Sequence, residues 1–493
     1  MFKSGIKNSI KNRFKALITA VVIAHLFLPL QAQKDFSLNK KYAPSQLLQD
    51  ATIITDVVLK MHPVIGVYYP KSYYESVFDK LKQSITDSLT EKQFRLKLKL
   101  AFDELHCGHT EVWNSKAYTK LIKPVKLNFV PYYMVALDKK LYVATSINPK
   151  KDSLLKLGTE ILRINNIPVD SILNYSMHFI SGDGYNTTGK QLYLRTGLNY
   201  SYPSLFGRPD SFIVETRYKD KVQTHCVRAI NLKDLPSQSF QPKSDSTYKK
   251  YKRSNISSGF LTEEKEVAVL KIKSFKSIKY KKVYRRYFRR LSKDQTKHLV
   301  IDLRYNGGGN LMNSYRLLSY FLDKPETVTL KTHVNSYPNK KYTHGNFGFK
   351  FTKWVLAIEG KKTVKGDTIY FTHTIKPRKR HHYNYKTYVL TNGGTFSASC
   401  IVAAYLKQSG KATLIGSETG GSREGCNAGV TPYYTLPNTK IKIRVPAFRI
   451  IHDINPSITG KGISPDYEIN YSLIDFLSRK DLEMYKVKEL IKK

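Results

Sequence analysis

The chain is short of acid: its 493 residues hold 38 Asp and Glu against 82 Lys and Arg, a formal net charge of +44. It is also short of cysteine, with four in all and no C-x-x-C, so the usual ligand spacing of a zinc site is missing. Neither G-x-G-x-x-G nor a G-K-[ST] ending occurs, which leaves a nucleotide phosphate loop without support. G-x-S-x-G does not occur either, which removes the elbow of an ordinary α/β-hydrolase. The apolar run Ala16–Leu30 is broken by Thr19, His25 and Pro29. At about 15 residues it falls short of the roughly 20 that cross a membrane. Hydrophobic residues make up 41% of the chain, enough to build cores in the two or three domains that this length suggests.

That apolar run has a context. Lys3, Lys7, Lys11, Arg13 and Lys15 precede it, and Leu30-Gln31-Ala32 ends it. A basic head, a short apolar middle and a small-residue exit describe a secretory signal peptide over residues 1–32; a single N-terminal anchor is the other reading. The protein is therefore expected to be exported, to the periplasm or beyond the cell. There, Cys107, Cys226, Cys400 and Cys426 either stay as thiols or form one or two disulfides, with three full pairings open. A basic chain usually invites nucleic acid. For an exported one, anionic cell-surface polymers are the fitting partners and nucleic acid is not.

The rest of the chain divides by pattern into an α/β protein of several domains. Residues 33–111 read as helical. Leu47, Ile54, Val58 and Met61 recur at helical spacing up to His62-Pro63, and a later helix starts at Thr90 with Glu91 and Gln93 in its first turns. Residues 120–235 switch to short apolar runs that read as strands. Among them, Gly158 to Val169 resembles the central hairpin of a PDZ domain. A polar linker covers 236–258, an α/β series 259–475, and a last helix 476–493. Alternating strands and helices imply a mostly parallel sheet, with catalytic groups at the carboxyl ends of its strands.

Two strand ends in that series carry unusual residues. Asp302-Leu303-Arg304 runs into Tyr305-Asn306-Gly307-Gly308-Gly309, whose glycines let backbone N–H groups approach a ligand. Tyr388-Val389-Leu390 runs into Gly393-Gly394-Thr395-Phe396-Ser397-Ala398-Ser399 and then an apolar helix. A Ser entering a helix after a Gly turn sits among orphan N–H donors, so it can attack a carbonyl and steady the oxyanion. The plainer alternative is that Ser397 or Thr395 only caps the helix.

These two segments resemble the hallmark strand-loop and the nucleophile segment of the C-terminal processing and tricorn-core serine peptidases. Ile415 to Gly421 is similar to the family's next strand and Gly turn, and Gly460 to Asp466 to its closing G-x-x-P-D motif. Met61-His62-Pro63 and Cys107-Gly108-His109-Thr110 resemble its N-terminal helical domain. The resemblance implies a ClpP/crotonase-like α/β peptidase core, a PDZ-like β module, no cofactor and no metal. It implies peptide or protein substrates, Ser397 as nucleophile, and backbone N–H groups of Gly307, Gly308 and Ala398 as an oxyanion hole. Ser422 stands where some members carry a catalytic Lys, so the expected base is His109, with His106 as the near alternative. An acidic partner for the imidazole is not evident. Tricorn has Ser where this chain has Gly108, and an acid where it has Thr459. Glu418, Asp453, Glu468 and Thr459 are candidates to orient His109. The family's architecture brings Cys107 and Cys426 to one rim, where they are either a disulfide or two buried thiols. Two rival readings are a non-catalytic homologue that binds peptides, and a basic surface protein that binds acidic polymers through Lys279–Arg290 and Lys376–His382.

Overall fold

Pro44 begins the first helix, α1 (Pro44–Met61), at the position where its missing N–H costs nothing. The helix buries Leu47, Ile54, Val58 and Met61 on one face and stops at His62, before Pro63. Helix α2 (Lys71–Gln83) follows, then α3 (Glu91–Asp103), whose start is a capping box between Thr90 and Gln93. The computed structural model describes residues 37–123, 128–146, 154–231, 249–251, 255–261, 265–276, 280–333, 340–344, 361–452 and 459–492. The expected signal segment, most of the expected linker and Asp453 lie outside these residues.

The second unit is an antiparallel sheet whose order runs from β5 (Lys221–Arg228) through β4 (Ser211–Tyr218), β3 (Glu160–Ile164) and β2 (Lys140–Ser146) to β1 (Tyr132–Leu137). Between the hairpin and β4 come two helices, α4 (Val169–Met177) and α5 (Thr188–Leu205). Helix α5 closes the free edge of β1. Asn199 donates to Tyr132 O at 2.6 Å and accepts from Met134 N at 3.2 Å. A PDZ domain adds a peptide strand to an open sheet edge; at these two residues the edge is already bonded.

The third unit holds the parallel sheet. Strands β7 (Val267–Ile272), β8 (His298–Asp302), β9 (Lys386–Thr391) and β10 (Ala412–Gly416) are neighbours in that order, and β6 (Ile256–Phe260) joins antiparallel outside β7. Their inner residues form near-continuous buried apolar runs, as strands covered on both faces must. Helices α6 (Tyr280–Lys293), α7 (Leu311–Leu318) and α8 (Ala398–Gln408) belong to this unit. One hydrophobic cluster runs from Leu47, Phe78 and Phe94 of the helical unit into Leu299, Val402 and Phe448 of this one, so the two share a core. Buried Arg304, at the end of β8, donates to Asp302, Asp481 and Glu483, and so holds the last helix, α9 (Leu482–Lys492), against the sheet.

Candidate active site

Adjacent strands β8 and β9 end level with one another, Asp302 opposite Leu390. The two Gly-rich loops therefore leave the sheet side by side. Asn306 locks them: its carbonyl accepts from Phe396 N at 3.0 Å and from Ser399 Oγ at 2.8 Å. Its side chain donates to Ile272 O and accepts from Gly308 N at 2.9 Å. Gly308 has φ +90°, and a Cβ there would come 2.8 Å from Ser397 Cβ and 2.9 Å from Ala398 N. Only glycine lets the loop lie this close to the start of α8.

Ser397 stands at the N-cap of α8, yet its side chain makes no capping bond. Its backbone has φ 57°, a conformation that costs a non-glycine residue energy and tends to cluster at functional sites. The freed hydroxyl meets His109: Nε2 lies 3.2 Å from Ser397 Oγ. His109 arrives from the turn after α3. The next residues, Glu111–Trp113, pair with Lys442–Arg444 of the third unit, and Arg444 Nε donates to His109 O at 2.9 Å. Thr110 is bonded by buried His62, 2.7 Å away. The ring of Phe396 stacks on the imidazole at 4.8 Å.

The other imidazole nitrogen faces a carboxylate that sequence reading did not single out. Asp183, buried in the loop between α4 and α5, has Oδ1 3.9 Å from His109 Nδ1. The same oxygen accepts from Gly108 N at 2.7 Å. Asp183 Oδ2 and His109 Nδ1 are both buried with no hydrogen-bond partner among the described residues. Burial pushes the Asp183 carboxyl up to about 7. Burial, helped by Arg444, pulls the His109 imidazole down to about 3. Both groups are thus held near their neutral forms, waiting for a charge to develop.

The remaining candidates are distributed as follows. The N–H groups of Gly307 and Ala398 have no partner among the described residues, while that of Gly308 is taken by Asn306. Glu418 accepts from Gly462 N at 2.7 Å and so fastens the closing motif. Thr459 and Glu468 are exposed. His106 bonds Gly184 O through Nδ1 at 2.9 Å and packs against Tyr68, Tyr69 and Tyr185. Ser422 is buried. All four cysteines are free thiols, with Cys107, Cys400 and Cys426 buried. Cys107 Sγ points at Asn427 O, 4.0 Å away, and of the two alternatives for Cys107 and Cys426 the structure has the two buried thiols. Among the described residues no group of His, Cys, Asp and Glu could hold a metal ion.

With this geometry in view, the comparison with known families is specific: residues 266–469 match the model of peptidase family S41. Over these residues the chain resembles an S41 serine peptidase domain. Solved structures with the same fold include mature CPAF complexed with lactacystin, at 13% identity over 91% of this chain and 98% of that one, TM-score 0.63. Mature CPAF alone gives 15% identity over 91% and 97%, TM-score 0.61. The photosystem II D1 C-terminal processing protease is similar at 15% identity over 87% and 94%, TM-score 0.40.

Proposed function

We propose that this S41 peptidase is an exported endopeptidase that cleaves peptide bonds through an acyl-enzyme on Ser397. The observation that carries the reading is the strained, uncapped Ser397 hydroxyl 3.2 Å from His109 Nε2. Burial favours the neutral imidazole of His109, which can take the Ser397 proton as Oγ attacks the carbonyl carbon, then return it to the leaving amine. The developing oxyanion is met by the N–H groups of Gly307 and Ala398, which have no partner among the described residues. Asp183 orients the imidazole and steadies its charged form, the part a carboxylate plays in a serine triad. Gly108 helps it do so by donating to Asp183 Oδ1. Ser397→Ala is expected to abolish peptide hydrolysis with no loss of melting temperature. Undiminished hydrolysis by the folded variant would remove Ser397 from the mechanism.

A second property has its own observation. Lys281, Lys282, Arg285, Arg286, Arg289 and Arg290 are all exposed on α6. The two basic clusters of the sequence approach each other there, since Arg289 is among the cations that, with burial, hold His381 below its ordinary range. We infer that this face binds anionic cell-surface polymer and concentrates the enzyme where it works.

A further inference from the structure

A cavity of about 480 Å³ lies between α3 and the helices α4 and α5 of the second unit, and its floor includes Gly108 and Thr110, the two neighbours of His109. Its size is that of a small-ligand site. Apolar side chains supply much of the wall, among them Phe102, Trp113, Phe179 and Tyr193. Three polar atoms that face no partner among the described residues belong to lining residues: Arg95 Nε, Asn114 Oδ1 and Ser176 Oγ. Ser176 is only 1% exposed. Buried polar groups are nearly always bonded, and three orphans around one space mark an incomplete set.

Charge sharpens the chemistry. Arg95 and Lys99 stand one turn apart on α3 and both line the cavity. Neither forms an ion pair among the described residues; Lys99 Nζ donates to Phe179 O at 3.3 Å. The acids nearby have other hydrogen-bond partners, and Glu91 and Glu111 reach Arg95 and Lys99 only through space. Glu91 accepts from Ser115 N and Oγ, both at 2.7 Å. Asp103 holds Lys190 and His178. Glu111 holds Arg444 at 2.9 Å. Two half-buried cations a turn apart repel, and burial together with Arg95 lowers the Lys99 ammonium to about 8 against the pull of Glu111. An arrangement that is costly when empty is relieved by an anion.

We infer that this cavity binds a carboxylate carried beside an apolar or aromatic group, as in a peptide that ends in such a residue or holds an acidic side chain next to one. Arg95 offers the planar donor fork that suits a carboxylate, Lys99 a second cation, and Phe179 and Trp113 the apolar walls. The inference rests on the peptidase reading only for its link to catalysis, through Gly108 and Thr110. Its test therefore reads binding and not turnover.

Calorimetry on the Ser397→Ala protein would compare Ac-Phe-Gln-Phe-OH, Ac-Phe-Glu-Phe-NH₂ and the neutral Ac-Phe-Gln-Phe-NH₂. At least one acidic peptide is expected to bind tenfold or more tightly than the neutral one, and which one does tells terminal from side-chain carboxylate. Arg95→Gln and Lys99→Gln should each abolish that preference. Without peptide, both variants should melt at or above the parent's temperature, because one of two mutually repelling cations has gone. Equal affinity for all three peptides, a preference that survives both substitutions, or a lowered melting temperature in both variants would overturn the inference.

Discussion

A Cβ on residue 108 would lie 2.5 Å from Cζ of Phe396, so glycine here leaves room for the ring that stacks on His109. Asp183 lies on the other side, accepting from Gly108 N and facing His109 Nδ1. Its raised pKa fixes the sign of two effects. Ionised Asp183 costs the folded state nothing below its unfolded value near pH 4; the cost grows as pH rises and is complete above about 7. Asp183→Asn should therefore raise the melting temperature at pH 8 and leave it nearly unchanged at pH 4, as calorimetric scans would register. The same change should lower kcat/KM at pH 8 by about 10² or more, since the imidazolium loses its counter-charge. It should also erase the rise in activity through pH 7 that ionisation of Asp183 gives the parent enzyme. A fall in melting temperature at pH 8 would mean that the carboxylate is structural. The meeting of Ser397 and His109, 3.2 Å apart, could be anticipated because each sits in a local motif. Asp183 was not, because a G-D-G turn in another unit carries no catalytic signature, and only the fold brings it to the imidazole.

The element that joins the units is the loop from Ser181 to Thr188. Gly184 N donates to His106 O and Tyr185 N to Gly460 O. Asn186 Nδ2 donates to Thr419 O at 2.7 Å, while its Oδ1 accepts from Thr188 N and Oγ1. One loop thus touches the His-bearing turn, the Gly turn at Thr419 and the closing motif, and delivers Asp183 between them. Asn186→Ala takes the acceptor from Thr188 N and leaves Thr419 O with only Thr188 Oγ1 at 3.2 Å, a loss of about 1–3 kcal/mol. Activity should fall about tenfold or more, and hydrogen exchange should rise in 181–188 before it rises in β8 or β9. Unchanged exchange in this loop would show that Asn186 does not fasten it. The helices were legible to different degrees. α6 announces itself, with Tyr280, Tyr284, Tyr287 and Leu291 on one face and cations on the other. α5 does not, because Gly189, Gly197 and Pro203 lie within it and its polar and aromatic residues make no clear stripe. The strands of the second unit were readable; the helical pair that covers them was set by tertiary packing.

At the scale of the whole molecule, charge and architecture separate. Among the described residues, the outer face of α6 is exposed and densely basic. Binding to a heparin column should therefore weaken steeply with salt and survive Ser397→Ala. Replacing Arg285, Arg286, Arg289 and Arg290 by Gln should lower the elution salt without changing hydrolysis of a small neutral peptide. Elution at the same salt would separate this face from polymer binding. The order of units along the chain was visible in the switch of hydrophobic period from helix to strand to α/β. Their convergence on one site was not, because α3, the 181–188 loop and the ends of β8 and β9 come from distant parts of the chain. The central claim is that these parts make Ser397 a nucleophile driven by His109. Mass mapping of a fluorophosphonate adduct tests it directly. The label should fall on Ser397 alone, be absent from Ser397→Ala, and form about 10³-fold or more slowly in His109→Ala. A label that persists in Ser397→Ala, or forms at the parent's rate in His109→Ala, would contradict the account.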